Sequence, residues 1–528
     1  MHKTKLILVL AMALLASLLA VGVAPGATAD PTISASAKLR NAVEPAGILV
    51  HERRLQQIAN AGADPDGDGV GTRSSGTPGY KASADYVAGK LEDAGYNVRR
   101  QKFDFPYFQE FSSSFSQTAP TQRNFKRYDL STNSGDYDVM TYSDSGTVEN
   151  ALLVPTKDVQ IPPGPTASSS NSGCQSTDFV PASTTEDQVA LIQRGTCDFI
   201  VKAQNAEAAG YDAAIIFNEG QAGRTDVLQG TLGDPVGIPV IGISFALGEE
   251  LYKTNGAKVS IAVQADSETR QTENVIADTT SGRRDRTIVV GAHLDSVPEG
   301  PGINDNGSGT ATNLEVALQM AKLGIEPRNR VRFAFWGAEE FGTKGSEHYV
   351  ASLSDEAFDR IALNLNFDML GSPNFVRFVY DGNGSATDDP DDGGPTGSAE
   401  IEQTFKRYFE AKGLKTDPTP FDGRSDYGPF IEAGIPAGGL FSGAEGVKTA
   451  RQQRIYGGNA GEPYDSCYHQ PCDDISNLSI KSLGQLSDGV AHATFTYAND
   501  ADLFVANSDS ARSLARTSDE YKGPEAIK

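Results

Sequence analysis

Five side chains with metal-binding atoms occupy predicted strand ends or loops in one α/β part of this 528-residue chain. They are His293, Asp305, Glu340, Asp368 and His469. Two imidazoles and three carboxylates form a nitrogen and oxygen donor set that suits zinc, allows manganese or cobalt, and disfavours calcium. Two ions that share one carboxylate would use all five donors and leave open positions for water. The residues alone therefore predict a paired metal site.

A sixth carboxylate, Glu339, directly precedes one of these donors. Adjacent residues beyond a strand point in different directions, so one glutamate can bind metal while its neighbour stays free as a base. Taken singly, each donor is more simply explained as a turn residue that makes a local hydrogen bond. His51, His348 and His492 lie on predicted helices, and we expect them to be packed or surface residues. The joint placement of the other donors at one sheet edge favours a site.

The elements that position these donors begin with the stretch 287–342, which reads as strand, loop, helix, strand and loop. Residues 288–290 form a short β-branched run typical of a buried parallel strand, and His293 and Asp295 follow it. A helical period begins at Ser308, and residues 331–335 alternate as a second strand before the two glutamates. Because ligands bind at the carboxyl ends of strands in open α/β sheets, this unit predicts an α/β fold with its site at that edge.

The amino-terminal residues predict export. Lys3 and Lys5 precede an apolar run at 6–23, and the small residues 27–29 resemble a cleavage site. This pattern is typical of a secretory signal peptide over residues 1–29, with an uncleaved membrane anchor as the alternative. The polar residues 30–45 are predicted to be a mobile leader or propeptide. We expect a secreted, extracellular protein.

Charge and cysteine content agree with that location. The chain has 69 acidic and 45 basic residues and a net charge of -24. Because this charge repels phosphate and anionic lipid, neither nucleic acid nor a membrane is an expected partner. The 4 cysteines of a secreted chain suggest disulfides with three possible connectivities. We predict the pairs Cys174 with Cys197 and Cys467 with Cys472.

The length predicts two domains with additional segments. Residues 130–270 carry short strands, hairpin turns and one clear helix but no histidine. This pattern fits either a structural module inserted into the loops of another domain or a lid or docking surface for substrate. The stretch 64–68 resembles the start of a calcium loop, but Ser75 stands where a bidentate glutamate belongs. A solvated turn is therefore favoured, with weak calcium binding as the alternative. The tail 506–528 is predicted to be disordered or removed.

Five motifs resemble a known family. GAHLDS, NDNGSGT, FWGAEEFG, NFDMLG and CYHQPCDD, in this order and spacing, look like the secreted bacterial double-zinc leucyl aminopeptidases, which are zinc exopeptidases. The stretch GTCDFIVKAQNAEAAGYDAAIIFN resembles a protease-associated (PA) domain. The resemblance implies a peptidase domain in two parts, 46–129 and 271–505, with a β-rich PA domain inserted at 130–270. It also implies a mixed, mostly parallel sheet flanked by helices.

The resemblance further implies two zinc ions per chain. His293 and Asp368 would bind one ion, Glu340 and His469 would bind the other, and Asp305 would bridge them. The structural calcium ion of the family cannot be placed on this sequence.

The same resemblance assigns further roles. Glu339 would be the general base that takes a proton from water and delivers it to the leaving amine. Tyr468 would hydrogen-bond the oxyanion of the tetrahedral intermediate, and Asp295 would orient the neighbouring imidazole ligand. Arg424 and Phe441 align with substrate-contacting positions.

These implications predict an aminopeptidase, expected to be a monomer, that removes large apolar residues such as leucine from peptide N-termini. One alternative is a related metallopeptidase that trims the carboxyl end or cleaves dipeptides. Another is a non-catalytic binding protein on a decayed peptidase scaffold.

Overall fold

The computed structural model describes residues 31–62, 69–129, 134–386 and 393–503. The predicted signal peptide, the calcium-like stretch 64–68 and the tail 506–528 lie outside the described residues. Within them, fourteen strands join in one continuous sheet. The strands are β1 Asn97–Ala119, β2 Arg123–Phe125, β3 Tyr137–Val139, β4 Gly146–Pro155, β5 Gln188–Gln193, β6 Ala213–Phe217, β7 Val240–Ile243, β8 Lys258–Asp278, β9 Arg283–His293, β10 Asn329–Trp336, β11 Ile361–Phe367, β12 Phe378–Tyr380, β13 Asp417–Thr419 and β14 Ala437–Phe441.

Helices cover both faces of this sheet in the predicted peptidase domain. The helices of the described residues are α1 Pro31–Ala35, α2 Ala37–Arg40, α3 Pro45–Asn60, α4 Pro78–Asp93, α5 Phe199–Ala208, α6 Phe245–Lys253, α7 Gly309–Lys322, α8 Lys344–Ala351, α9 Asp355–Phe358, α10 Ser398–Ala411, α11 Gly428–Glu432, α12 Ala450–Tyr456 and α13 Ile480–Asn499. Among them, no helix combines the length and apolar character needed to cross a bilayer.

The centre of the peptidase sheet is parallel, as the β-branched runs predict. β14, β11, β9 and β10 are parallel neighbours in that order, and the antiparallel β8 follows β10. Val290 and Phe333 face the core beneath α3, α4, α7, α10 and α13, whereas Val289 and Trp336 pack with residues of α8 and α11 on the other face. The fold is therefore the mixed, mostly parallel sheet flanked by helices that was predicted.

A long two-stranded ribbon leads from this sheet into the predicted PA domain. β1 pairs with β8 in antiparallel fashion from Asn97 with Asp278 to Ala119 with Lys258. Serine and glutamine are common in β1 after residue 108, where one side of the ribbon stays partly exposed. Beyond it, β4 to β7 are parallel, with α5 on one face and α6 on the other.

Both predicted disulfides are confirmed. The S–S distance is 2.07 Å between Cys174 and Cys197, beside α5, and 2.10 Å between Cys467 and Cys472.

Residues 31–45, for which the composition predicts a mobile leader or a propeptide, pack on the peptidase domain. Leu39 and Val43 are 0% and 2% exposed and belong to the main core of the peptidase domain. The Ser36 hydroxyl lies 2.9 Å from His492 Nδ1 on α13. The two apolar side chains are buried because α2 packs on α13, a tertiary contact that composition does not reveal.

Candidate metal centre

The loops after the central strands bring the predicted donors together. His293 is the last residue of β9, Asp368 directly follows β11, and Glu340 lies four residues beyond the end of β10. Asp305 lies in the turn Ile303–Ser308 before α7, and His469 lies in the loop closed by the second disulfide. The predicted sheet edge is therefore where these five side chains meet.

Asp305 lies between the two imidazoles. Its Oδ1 atom is 3.2 Å from His293 Nε2, and its Oδ2 atom is 3.3 Å from His469 Nε2. His293 Nε2 is also 3.3 Å from Asp368 Oδ1, and His469 Nε2 is 3.1 Å from Glu340 Oε2. Each imidazole is thus close to the shared carboxylate and to one carboxylate of its own.

These separations fit a pair of zinc ions. Two donors bound at about 2.0–2.1 Å to one tetrahedral ion lie about 3.3 Å apart. In addition, Glu340 Oε1 is buried without a hydrogen-bond partner among the described residues. The donor set, its spacing and this unpaired oxygen are all compatible with bound zinc.

The centre concentrates negative charge away from water. The pKa of Glu339 is raised well above its usual range because the side chain is buried. Burial, followed by the charge of Asp305, raises the pKa of Glu340 to about 7. Burial would also raise the pKa of Asp305, but hydrogen bonds with the two imidazoles outweigh it and lower that pKa. Cations bound here would offset the cost of burying these carboxylates.

Glu339 is close to the donors but is held differently. Its Oε2 atom is 3.9 Å from His293 Nε2, which is beyond hydrogen-bond distance. Its backbone N–H donates to Asp295 Oδ1 at 3.3 Å. Glu339 therefore lies within ion-pair distance of His293 but is not hydrogen-bonded to it.

Asp295 contacts His293 mainly through its backbone. His293 Nδ1 is 3.2 Å from the Asp295 carbonyl oxygen and 3.6 Å from its carboxylate. The structure thus places Asp295 where an orienting residue is expected, with the carbonyl as the nearer acceptor.

The loop that carries His469 also presents Tyr468. Their rings stack with centroids 3.8 Å apart, and His469 has a φ of 55°, which residues other than glycine adopt rarely. Arg424 Nη2 donates to the Tyr468 hydroxyl at 3.2 Å, while Arg424 Nη1 pairs with Glu445 at 2.7 Å. The disulfide closes this loop around an unusual backbone conformation.

A pocket of about 200 Å³ opens beside the donors. One part of its lining is acidic, with Asp305, Glu339, Glu340 and Asp368, and another is aromatic. The aromatic residues are Phe378, Tyr380, Phe441, Tyr464 and Tyr468. The pocket therefore joins an anionic floor to an apolar wall, and the predicted Phe441 belongs to that wall.

Two residues that sequence reasoning missed support the donors. Asp473 accepts the backbone N–H groups of Asn304 and Asp305, both at 2.9 Å. Ser425 donates to Asp368 Oδ2 at 2.7 Å. Asp473 lies within the CYHQPCDD motif and Ser425 directly follows Arg424, but these patterns do not indicate which donor each residue would contact.

An α/β sheet with imidazoles and carboxylates at the carboxyl ends of its strands defines a class of metal-dependent hydrolases. Residues 274–494 match the model of peptidase family M28, and residues 157–251 match that of the PA domain. An aminopeptidase of Pseudomonas aeruginosa is 44% identical over 448 residues, which are 84% of this chain and 79% of that protein. Leucine aminopeptidase 2 of Arthroderma otae is 38% identical over 87% of this chain and 86% of that protein.

A solved structure of a zinc aminopeptidase from Bacillus subtilis is similar with a TM-score of 0.55 and 25% identity, over 86% of this chain and 95% of that one. This chain belongs to peptidase family M28, contains a PA domain, and is an enzyme of the aminopeptidase class. The family resemblance carried by the five motifs is thereby confirmed.

Proposed function

We propose that this protein is a secreted aminopeptidase that uses two zinc ions to hydrolyse the first peptide bond of peptides, with a preference for leucine and similar residues. One observation carries the proposal. The two oxygens of Asp305 lie 3.2 and 3.3 Å from the imidazole nitrogens of His293 and His469. A carboxylate shared between two imidazoles is the arrangement that a bridged pair of ions requires.

In this proposal each ion has two donors of its own and shares the bridging one. His293 and Asp368 would hold the first zinc, Glu340 and His469 the second, and Asp305 both. When bound there, the zinc ions supply Lewis acidity at the scissile carbonyl and acidify the attacking water.

The protein's own groups would move the proton and stabilise charge. Glu339 accepts a proton from the attacking water and later gives it to the leaving amine, a role that its buried position beside the proposed ligands supports. The Tyr468 hydroxyl, which Arg424 holds at 3.2 Å, donates to the oxyanion. Asp295 fixes the orientation of His293.

The pocket favours an amino terminus over a carboxyl terminus. Its one arginine, Arg424, already pairs with Glu445. A carboxypeptidase would need a free cation for the terminal carboxylate. The aromatic wall that includes Phe441 suits a large apolar side chain, in agreement with the names of the fungal relatives.

Secretion and a monomeric state are part of the proposal. The predicted signal peptide and the two disulfides support an oxidising compartment. The PA domain contacts the peptidase domain through the continuous β1 and β8 ribbon.

The test is a substrate panel combined with metal analysis. The purified protein is assayed on leucine anilide, on the same compound with a blocked amine, and on an acyl dipeptide, before and after chelation. We expect two zinc ions per chain, hydrolysis of only the unblocked anilide, and recovery after zinc is returned. Hydrolysis of only the blocked dipeptide would contradict the proposed specificity, and full activity after complete removal of metal would contradict the mechanism.

A further inference from the structure

A buried arginine that the proposed chemistry does not use binds the loop between two proposed zinc ligands. Arg73 is 0% exposed. Its guanidinium donates to three backbone carbonyls, those of Pro301 at 2.9 Å, Leu294 and Gly302. A single side chain thus connects the beginning of this loop to its end.

The three carbonyls flank the ligands closely in sequence. Leu294 directly follows His293, and Gly302 lies three residues before Asp305. Gly302 has a φ of 58°, and a Cβ atom there would lie 2.4 Å from the Asp305 carbonyl oxygen, so the loop has little room to shift. The hydrogen bonds of the Arg73 guanidinium therefore restrain the distance between His293 and Asp305.

Neighbours of Arg73 contact the same loop and the turn that carries the glutamates. The Thr72 hydroxyl donates to the Val297 carbonyl at 2.7 Å, and the Arg73 N–H donates to the Ser296 hydroxyl at 3.0 Å. The Ser75 hydroxyl accepts the Ala338 N–H at 2.7 Å. The segment 72–75 thus supports both loops at once.

Carboxylates around Arg73 partly offset the cost of burying its charge. Glu52, Asp295 and Asp473 all act on the guanidinium, and each is buried. Asp473 itself holds the Asp305 backbone. A lysine could not reproduce this arrangement, because the planar guanidinium has five donors in a fixed fork and an ammonium is a compact point charge.

We propose that Arg73 is a positioning residue of the metal centre, which sets the distance between His293 and Asp305 so that both can bind the same zinc ion. The inference rests on the proposed two-zinc function. It adds a residue from the amino-terminal part of the chain, 220 positions before His293, that touches neither substrate nor metal.

The experiment measures zinc affinity by competition with a chromogenic chelator in the full-length protein. The variants are Arg73→Met, Arg73→Lys and the matched control Arg332→Met. Arg332 is another buried arginine; it lies on β10 and pairs with Asp278 at 2.6 Å. We expect zinc affinity to fall by about 10–100-fold in both Arg73 variants and to stay at the parental value in the control. Thermal unfolding of each metal-free variant separates this effect from loss of stability.

Each outcome decides one question. If the parent protein binds no zinc, the proposed function fails. If the parent binds zinc and either Arg73 variant binds it equally well, the positioning role is wrong. An equal loss of affinity in the Arg332 variant would show an effect of general destabilisation and would also overturn the inference, as would failure of both Arg73 variants to fold.

Discussion

Replacing Glu339 by glutamine separates the proton-transfer role from the metal-binding role. The two side chains have nearly the same volume, and the backbone N–H bond to Asp295 is unaffected by the change. The Glu339 carboxylate is 3.9 Å from His293, whereas Glu340 is 3.1 Å from His469. We therefore expect Glu339→Gln to keep both zinc ions.

The expected loss of rate follows from the role of a general base. Such a group contributes about 10²–10⁴-fold to a reaction. At 1.36 kcal/mol for each factor of ten, the transition state would lose about 2.7–5.4 kcal/mol of stabilisation. Because glutamine cannot accept the proton, kcat should fall by this factor while KM changes little.

The assay compares Glu339→Gln with Glu340→Gln on leucine anilide, with metal analysis of both proteins. The variant at 339 should retain two zinc ions with low kcat, and the variant at 340 should lose the second ion. The donor atoms of His293, Glu339 and Asp368 also lie within 4.8 Å of one another, which offers Glu339 an alternative role as a ligand. Loss of zinc on Glu339→Gln, or retention of parental kcat, would refute the assignment.

Three further predictions concern other parts of the molecule. Replacing Cys467 and Cys472 together by serine should loosen the loop that carries His469 and so lower kcat and zinc occupancy. The free energy of unfolding, measured by chemical denaturation, should fall by about 2 kcal/mol. Unchanged zinc content would contradict this prediction. Phe441→Ala should raise KM for leucine anilide about tenfold but not for alanine anilide, and equal changes would count against a role in specificity. Burial lowers the pKa of Lys202 to about 8 from 10.5, so the unfolded state holds the extra proton between these values and stability should rise with pH there. The free energy of unfolding of Lys202→Met, measured from pH 8 to 10, should lack this rise. An equal rise in the variant would refute the lowered pKa of Lys202.

The placement of the central donors was predictable from local patterns. Residues 288–290 form a β-branched run, and parallel strands end at a common edge, so His293 had to lie near that edge. The β11 run ends directly before Asp368 for the same reason. The hydrophobic period of a strand and its direction are enough to predict where such residues lie.

Contacts between distant segments were not predictable in this way. Arg73 lies in a turn-rich stretch with no apolar period, yet the residue is fully buried and donates to the loop 294–302. Residues 31–45 appeared too polar to pack, but their few apolar side chains meet α13. In both cases the deciding partner lies more than 200 residues away in sequence.

The most direct test of the central claim is anomalous diffraction at the zinc edge from crystals of the purified protein. We expect two zinc peaks about 3.5–4 Å apart, with one oxygen of Asp305 bound to each ion and Glu339 bound to neither. A single peak, or two peaks that Asp305 does not bridge, would contradict it.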